Sequence, residues 1–262
     1  MRKLGRNAIP LISTDEMTAE AIAYLREHEP EDGYFVGFSG GKDSIVTLEL
    51  CRMAGVRHEA FYTCTRIDPP EVVRFIKANY PGVTWLYPTE TMWSALKHKS
   101  PPLRVSRWCC DVLKKDPSRN HPLRHRVMGM RAEESSRRAA RPRTDYMRRY
   151  KQWVYKPVFA WLECHIWEFI DAHGLPYPSL YDEGFGRIGC VVCPFIMGSS
   201  AGKRRMRELS MQRWPGMWKA FEHACSEWFE PRMADGLRAK QKHHNFPSYY
   251  AAYLDGFEEN NR

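Results

Sequence analysis

Short apolar runs alternate along the chain with longer segments in which apolar residues recur at helical spacing. The short runs predict buried strands at 34–38, 58–63, 83–87 and 126–130. The periodic segments predict helices at 15–28, 43–54, 70–79, 161–173, 203–213 and 216–229. The pattern therefore predicts an α/β fold with a doubly wound, mostly parallel sheet of about five to six strands, helices on both faces and a helical C-terminal extension.

Two stretches lack this regularity. Residues 97–123 are rich in basic residues and proline, and residues 132–150 are rich in arginine with weak periodicity, which predicts a loop or a short helix there. The sequence has no internal repeat and no low-complexity linker. The predicted organisation is an N-terminal helical segment at 1–30, an α/β domain at 31–200 and a helical extension at 201–262 packed on the same domain.

Composition narrows the class of protein. The 262 residues are 43% apolar, which is enough for a substantial core. No apolar run approaches the roughly 18 residues that a membrane-spanning helix requires. Arg2 and Lys3 are not followed by a long apolar stretch, so the sequence predicts no signal peptide, and a cytoplasmic location is expected.

The charge is strongly basic and unevenly distributed. The formal net charge is +9 at pH 7, nine arginines lie between Arg124 and Arg149, and a second cluster lies on the predicted C-terminal extension. That second cluster contains Lys203, Arg204, Arg205, Arg207 and Arg213. Basic clusters indicate a polyanionic partner such as a nucleic acid, and the alternative is a solvated basic face with a few nucleotide contacts.

A glycine-rich turn follows the first predicted strand and opens the next predicted helix. It reads FSGGKDS and comprises Phe38, Ser39, Gly40, Gly41, Lys42, Asp43 and Ser44. Glycines allow close backbone approach to a ligand, and the N–H groups at a helix start attract anions. The spacing is neither that of a Walker A loop nor that of a dinucleotide fingerprint. The turn predicts a phosphate site, and the alternative is a tight turn with a chance lysine.

Four of the eight cysteines form two close pairs. Cys109 and Cys110 are adjacent, and Cys190 and Cys193 form a C-x-x-C motif. In a reducing compartment such pairs indicate metal or redox chemistry, with a zinc site, an iron–sulfur cluster and plain thiols as the alternatives. Adjacent cysteines favour a [4Fe–4S] cluster, in which each thiolate can bind a different iron. The other four, Cys51, Cys64, Cys164 and Cys225, are expected to be ordinary buried residues.

Together these motifs resemble a known family. SGGKDS resembles the PP-loop of ATP pyrophosphatases and sulfonucleotide reductases. Two further segments resemble the core of the PAPS reductase-like family, which has the adenine nucleotide alpha hydrolase-like fold. They read RWCCDVLKKDP and KPVFAWLECHIWEFIDAHGLPYPSLYDEGFGRIGCVVCPF. The resemblance implies that the loop binds pyrophosphate or a terminal phosphate or sulfate. It also implies that Cys109, Cys110, Cys190 and Cys193 bind [4Fe–4S].

Other positions of the family pattern add site residues. GMRAEES, which contains Gly129, Arg131 and Ser135, matches the G-x-R-x-x-E-S element, and the alternative for Arg131 is a surface arginine beside a capping glutamate. Thr63, Thr65 and Asp68 occupy the nucleotide-side loop, where Asp68 could instead cap a helix. Lys114 and Lys115 either face the phosphate groups of the nucleotide or are ordinary surface lysines.

The expected site residues fall into two sets. The expected catalytic residues are Lys42, Asp43 and Arg131. The expected nucleotide and pyrophosphate contacts include these residues and also Phe38, Ser39, Gly40, Gly41, Ser44, Thr63, Thr65, Gly129 and Ser135.

One departure from the family pattern bears on the reaction. Reductases of the family carry a C-terminal E-C-G-[IL]-H motif, whereas this sequence ends in DGFEENNR and Cys225 lies in HACSEWF. The resemblance then favours cleavage of ATP with Mg²⁺ to AMP and pyrophosphate. This is the reaction of the ATP pyrophosphatase subunit of bacterial DNA phosphorothioation systems. The length of the chain resembles the shorter Ssp-type subunit more than the longer Dnd-type subunit. It implies DNA, a cysteine desulfurase and other sulfur-modification subunits as partners. The alternatives are a sulfonucleotide reductase that uses an external thiol, a tRNA-thiolating enzyme and a non-catalytic nucleotide sensor.

Overall fold

The computed structural model describes residues 12–234 and 245–257, which fall into two compact units. The first unit comprises the described residues up to Thr63, together with Pro70–Leu86 and Ser118–Ile188. The second comprises Cys64–Pro69, Tyr87–Pro117 and the described residues from Gly189 onward. The predicted segments 1–30 and 201–262 both extend into residues outside the described ranges.

The first unit contains a six-stranded sheet. Its strands are β1 (Tyr34–Phe38), β2 (His58–Thr63), β3 (Thr84–Leu86), β4 (His125–Met128), β5 (Thr144–Met147) and β6 (Gln152–Tyr155). They lie in the order β3-β2-β1-β4-β6-β5, and the β5–β6 pair is antiparallel while the other four pairs are parallel. Val36 of β1 lies opposite Val127 of β4, and both side chains are fully buried. The predicted α/β class and mostly parallel sheet are confirmed.

The helices alternate with these strands in the first unit and form most of the second. They are α1 (Thr14–Glu27), α2 (Lys42–Ala54), α3 (Pro70–Asn79), α4 (Met92–Leu96), α5 (Trp108–Cys110), α6 (Ser136–Ala139), α7 (Glu163–Ala172), α8 (Ala201–Arg213), α9 (Pro215–Ala234) and α10 (Phe246–Leu254). Local sequence sets several of their ends. Ser13 and Glu16 form a capping box at the start of α1, and Gly55 ends α2 in the left-handed conformation with φ of 68°.

Helices α8 to α10 and the short elements α4 and α5 bury one apolar cluster in the second unit. It includes Leu96, Leu113, Val192, Trp218, Phe221, Cys225 and Tyr253. The buried guanidinium of Arg207 stabilises this unit, since it donates to the carbonyl oxygens of Ile196, Gly198 and Leu254 at 3.2, 3.1 and 2.8 Å. The helical C-terminal region is confirmed, and no helix among the described residues is both long and apolar enough to cross a membrane.

The arginine-rich stretch 132–150 differs from its prediction. It contains the short helix α6, as predicted, but also strand β5, which pairs with β6 in an antiparallel hairpin. Strand β5 reads TDYM and lies at the edge of the sheet with no fully buried residue. Because an edge strand has little apolar surface to bury, its sequence lacks the apolar run by which β1 and β4 are recognised.

Candidate functional site

The order of the strands marks one edge of the sheet as a ligand site. The chain runs from β1 to β2 and β3 on one side, whereas β4 lies on the other side of β1. Open α/β sheets bind ligands at the carboxyl ends of the strands where the order reverses in this way. The FSGGKDS loop follows β1, and the Gly129–Ser135 segment follows β4.

The loop has the backbone of an anion-binding turn. Gly40 has φ of 70°, and a Cβ atom there would lie 2.9 Å from the side chain of Ile76, so glycine is required. Helix α2 begins at Lys42, and its N-cap residue Gly41 provides no side-chain hydrogen bond. The Ser44 hydroxyl closes the turn, since it donates to the Gly41 carbonyl at 2.8 Å and accepts from the Ser39 N–H at 3.1 Å. The first turn of α2 can therefore direct backbone N–H groups toward an anion.

Arg131 and Asp43 join the two segments. The Nε atom of Arg131 lies 2.5 Å from Oδ1 of Asp43, and its Nη1 atom contacts the carboxylate of Glu133. Burial disfavours the charged guanidinium, but Asp43 and Glu133 outweigh this effect and raise the pKa of Arg131. A buried guanidinium between two carboxylates keeps its planar donor set at a fixed position, where it can meet a phosphate.

Lys42 lies at the centre of the site and is almost fully buried. Its ammonium is 3.2 Å from Oε1 of Glu163, 3.9 Å from Oδ2 of Asp43 and 3.3 Å from the carbonyl oxygen of Gly186. The ring centroids of Tyr181 and Trp167 lie 5.1 and 5.9 Å from the same ammonium. The three expected catalytic residues, Lys42, Asp43 and Arg131, are thus brought together at one edge of the sheet.

Gly129 allows the close approach of β4 to α2. A Cβ atom at this position would lie 2.6 Å from the Asp43 carbonyl oxygen and 2.9 Å from the Thr47 hydroxyl. That hydroxyl donates to the same carbonyl at 2.7 Å, so neither atom can move without disturbing the first turn of α2. Gly129 therefore acts through packing, by allowing the Asp43 backbone to lie against the end of β4.

Substitution of Gly129 by alanine is expected to lower the free energy of unfolding by about 1 to 3 kcal/mol, as for other overpacked buried sites. Urea denaturation followed by circular dichroism measures the change. Gly82 is the control, because a Cβ atom there meets nothing within 4 Å. Gly82→Ala is expected to leave the midpoint unchanged or slightly higher. Equal stability of the two variants would contradict the packing role of Gly129.

The remaining expected contacts have varied surroundings. The Phe38 side chain is buried, with its ring 4.7 Å from that of Tyr80, so only its backbone can face a ligand. The Ser135 hydroxyl caps α6 by accepting from the Arg138 N–H. Thr63 ends β2 in the first unit. Thr65 belongs to the second unit, where its hydroxyl lies 3.8 Å from Sγ of Cys190.

The four paired cysteines all lie in the second unit, within electrostatic range of one another. A hydrogen bond with Cys110, burial and the charges of Cys110, Cys190 and Cys193 all raise the pKa of Cys109. The same hydrogen bond and the nearby Lys114 lower the pKa of Cys110, while burial raises that of Cys190 to about 12. Each of these three pKa values is shifted in part by another of the four cysteines. Cys109, Cys110, Cys190 and Cys193 therefore interact electrostatically, and we call them the cysteine quartet.

Polar neighbours surround this quartet. The Cys190 thiol lies 3.8 Å from Oδ1 of Asp68, whose other oxygen accepts from the Thr65 N–H at 2.8 Å. The charge of Cys190 contributes most to raising the pKa of Lys114, whereas Lys115 forms an ion pair with Asp111 at 2.7 Å. In the described part of the chain, no group of three or more His, Cys, Asp and Glu side chains, the four cysteines included, is placed to hold a metal.

Several members of the two basic clusters stabilise the fold. Arg126 is buried with its guanidinium 3.6 Å from the ring centroid of Phe35, and Arg207 is buried in the second unit. Three further arginines, Arg138, Arg141 and Arg143, form ion pairs with Glu134, Asp145 and Glu20, respectively. The runs of basic sequence therefore overstate the positive charge that is available to a partner.

Sequence reasoning did not identify Glu163, Trp167 and Tyr181 as site residues. They lie between 121 and 139 positions from Lys42 along the chain, and aromatic residues in an amphipathic segment are more typical of a core. The one available signal was the length of the family resemblance, which spans all three positions.

Comparisons with known sequences agree with this geometry. An uncharacterized protein of Methanocaldococcus jannaschii is 28% identical over 231 residues, which cover 82% of this chain and 46% of that protein. A second uncharacterized protein of the same organism is 27% identical over 70% of this chain and 47% of its own length, so the chain spans just under half of these relatives. Adenosine 5'-phosphosulfate reductase of Bacillus mycoides is 24% identical over 81% of this chain and 93% of that protein.

Solved structures share the fold. Phosphoadenylyl-sulfate reductase from Candida auris, in a phosphate complex, has a TM-score of 0.52 and 17% identity over 71% of this chain and 98% of that chain. Yeast FAD synthetase in complex with FAD has a TM-score of 0.53 and 15% identity over 81% of this chain and 86% of that chain. The profile of the phosphoadenosine phosphosulfate reductase domain matches residues 33–195, which is more than half of the sequence. With the PP-loop, the Gly129–Ser135 element and the cysteine quartet all within this span, the chain belongs to the phosphoadenosine phosphosulfate reductase domain family.

Proposed function

We propose that this protein is an ATP pyrophosphatase that activates an oxygen of a nucleic acid for replacement by sulfur, with the DNA backbone as the acceptor. The observation that carries the proposal is the convergence of Lys42, Asp43 and Arg131 at the start of α2. Lys42 and Arg131 supply two cations at a helix N-terminus, where the pyrophosphate part of ATP finds the charge and the donors that it requires.

The chemistry divides into two displacements. An oxygen of the acceptor attacks the α-phosphorus of ATP, the bond from that phosphorus to the bridging oxygen breaks, and pyrophosphate leaves on the PP-loop. When the acceptor is a backbone phosphate, a hydrosulfide ion then attacks the backbone phosphorus and AMP leaves with the original oxygen. A cysteine desulfurase partner and a thiol reductant supply the hydrosulfide, so neither displacement changes an oxidation state.

Each site residue has a role in the first displacement. ATP enters as its magnesium complex, and the ammonium of Lys42 neutralises charge that builds up on the leaving pyrophosphate. Arg131 binds a phosphate oxygen through the face of its guanidinium that Asp43 and Glu133 leave available. Asp43 fixes the orientation of Arg131 through the contact at 2.5 Å, so it acts as a positioning residue.

The cysteine quartet fits an iron–sulfur cluster by its chemistry. Four thiols without a histidine or carboxylate in the set match the ligands of [4Fe–4S]. Four thiols can also bind a single zinc ion, but the adjacent pair Cys109 and Cys110 favours the cluster, because each thiolate can then bind a different iron. Cys109, Cys110, Cys190 and Cys193 would hold the cluster, which carries single electrons when bound.

The nucleic-acid partner rests on charge and on the family resemblance. The net charge is +9, and Lys203, Arg204 and Arg205 follow one another on α8. Basic residues along a helix bind phosphates by releasing counterions, so the affinity for DNA is expected to fall as salt rises.

The nucleotide products test the proposal. Anaerobically purified protein is incubated with ATP, Mg²⁺, double-stranded DNA and sodium sulfide, and the products are separated by ion-exchange chromatography. Pyrophosphate from the first displacement and AMP from the second are expected in equal amounts. Formation of ADP and phosphate would contradict the proposal, as would the absence of turnover when the cysteine desulfurase is also supplied.

A sulfonucleotide reductase is the second candidate. It is favoured by the curated relatives named adenosine 5'-phosphosulfate reductase, one of which aligns with 81% of this chain. Incubation with adenosine 5'-phosphosulfate and reduced thioredoxin distinguishes the two candidates. Release of sulfite and AMP would support the reductase, whereas the pyrophosphatase releases no sulfite from this compound.

A further inference from the structure

Oxygen atoms of the same chain already occupy the donors of the PP-loop. The backbone N–H of Lys42 donates to the Tyr181 hydroxyl at 3.0 Å. The Lys42 ammonium lies within 3.3 Å of a carboxylate oxygen of Glu163 and of the Gly186 carbonyl. A phosphate would present the same kind of atom to the same donors.

Tyr181 is seated closely in the loop. Its hydroxyl lies 3.2 Å from the position that a Cβ atom of Gly41 would take, so the side chain reaches the N-cap of α2. Its ring packs edge-on against Trp167, with 5.2 Å between centroids, and lies beneath the Lys42 ammonium. The contact is therefore built from a hydrogen bond, a ring–ring contact and a cation–π contact.

The hydroxyl is a neutral occupant of an anion site. Burial raises the pKa of Tyr181, so the phenol remains protonated at neutral pH. A neutral oxygen competes weakly with a phosphate, because the helix start and the Lys42 ammonium both favour negative charge. Such a contact can order the loop and still give way to a phosphate.

The exchange is assigned to the Tyr181 side chain and not to its backbone. Tyr181 ends a short 3-10 turn, Ser179–Tyr181, and the nearby Leu180 and Phe185 are buried, so the turn itself is anchored. Rotation of one side chain is enough to free the Lys42 N–H.

We propose that Tyr181 is a reversible plug of the PP-loop, whose hydroxyl accepts the Lys42 N–H and is displaced by the pyrophosphate part of the nucleotide. The plug rests on the proposed function, since it assumes a pyrophosphate ligand. The plug lowers the affinity for the nucleotide, because binding has to break the hydrogen bond between Tyr181 and Lys42. Removal of the hydroxyl is expected to tighten pyrophosphate binding by about two- to tenfold, the value of one net hydrogen bond.

Isothermal titration with inorganic pyrophosphate tests the plug in the intact protein. Tyr181→Phe keeps the ring on Trp167 and is expected to lower the Kd by the stated factor. Tyr181→Leu, which also lacks the hydroxyl, is expected to shift the Kd in the same direction, so the test does not depend on one variant folding well. Tyr177→Phe is the control, because Tyr177 packs edge-on against the same Trp167 while its hydroxyl contacts Asp182 at 3.5 Å.

The possible outcomes separate the plug from the proposed function. An unchanged Kd in both Tyr181 variants overturns the plug alone. A higher Kd also overturns it and makes the hydroxyl a donor to the bound phosphate. If neither the unmodified protein nor any variant binds pyrophosphate, the proposed function is contradicted, and the plug is overturned with it.

Discussion

Replacement of Lys42 by alanine is expected to lower kcat for ATP cleavage by about 100- to 1,000-fold, the effect of losing one preorganised charged donor. The ammonium is buried at the helix start beside Asp43, where no water replaces its charge. Its field acts on the charge that grows on pyrophosphate as the bond to the α-phosphorus breaks. Measurement of the initial rate of pyrophosphate release at a saturating concentration of ATP gives kcat for this step.

Lys77→Ala is the matched control for this variant. Lys77 lies in the same unit with its ammonium 5.4 Å from the ring centroid of Trp85, so it shares a cation–π contact but lies on α3 outside the loop. Its removal is expected to leave kcat unchanged. Melting curves of both variants show whether a loss of activity reflects folding. Retention of more than about a tenth of the activity in a folded Lys42→Ala variant would contradict the role of the ammonium.

The local part of the site could be predicted from the sequence because short-range rules set it. An apolar run, two glycines and an amphipathic segment in succession predict the strand, the turn and the helix, and β1, Gly40 and α2 occur where expected. The order of strands β1 and β4 then places Arg131 near Asp43, as the G-x-R-x-x-E-S resemblance implies. The loop is local in the sequence, whereas Arg131 lies 88 positions from Asp43, so its place in the site was indicated only by the family resemblance.

The contacts around Lys42 could not be predicted in this way. Glu163 and Tyr181 reach the loop through tertiary packing, and nothing in their local sequence indicates a charged partner. The same limit applies to β5, because an exposed edge strand lacks the apolar pattern of a buried one. Helix α10 lies within the helical extension predicted at 201–262, although its own bounds, Phe246–Leu254, were not predicted separately.

Charge was the least informative property. The nine arginines at 124–149 form a basic cluster in the sequence, yet Arg126 is buried against Phe35 and Arg131 is buried in an ion pair with Asp43. Ion pairs and cation–π contacts depend on partners that are far away in the sequence. A count of basic residues therefore gives the sign of the partner's charge but not the surface that meets it.

Substitution of Cys193 by serine is expected to remove bound iron and the brown colour of anaerobically purified protein. The four thiols interact electrostatically as one group, so a cluster held by all four loses a ligand that a neutral hydroxyl replaces poorly. Iron analysis is expected to give about four atoms per chain before the substitution and a small fraction of that afterwards. The visible absorption spectrum provides a second measurement on the same samples.

Cys164→Ser is the control for this substitution. Cys164 lies on α7 in the first unit, is partly exposed like Cys193 and does not belong to the quartet. Its substitution is expected to leave iron content and absorption unchanged, because the iron is assigned to thiols of the second unit. If the protein is colourless and contains about one zinc ion per chain, the cysteines hold a single zinc ion and not a cluster. Equal iron in the two variants would show that Cys193 is not a ligand, and the assignment of the quartet to an iron–sulfur cluster would then be wrong.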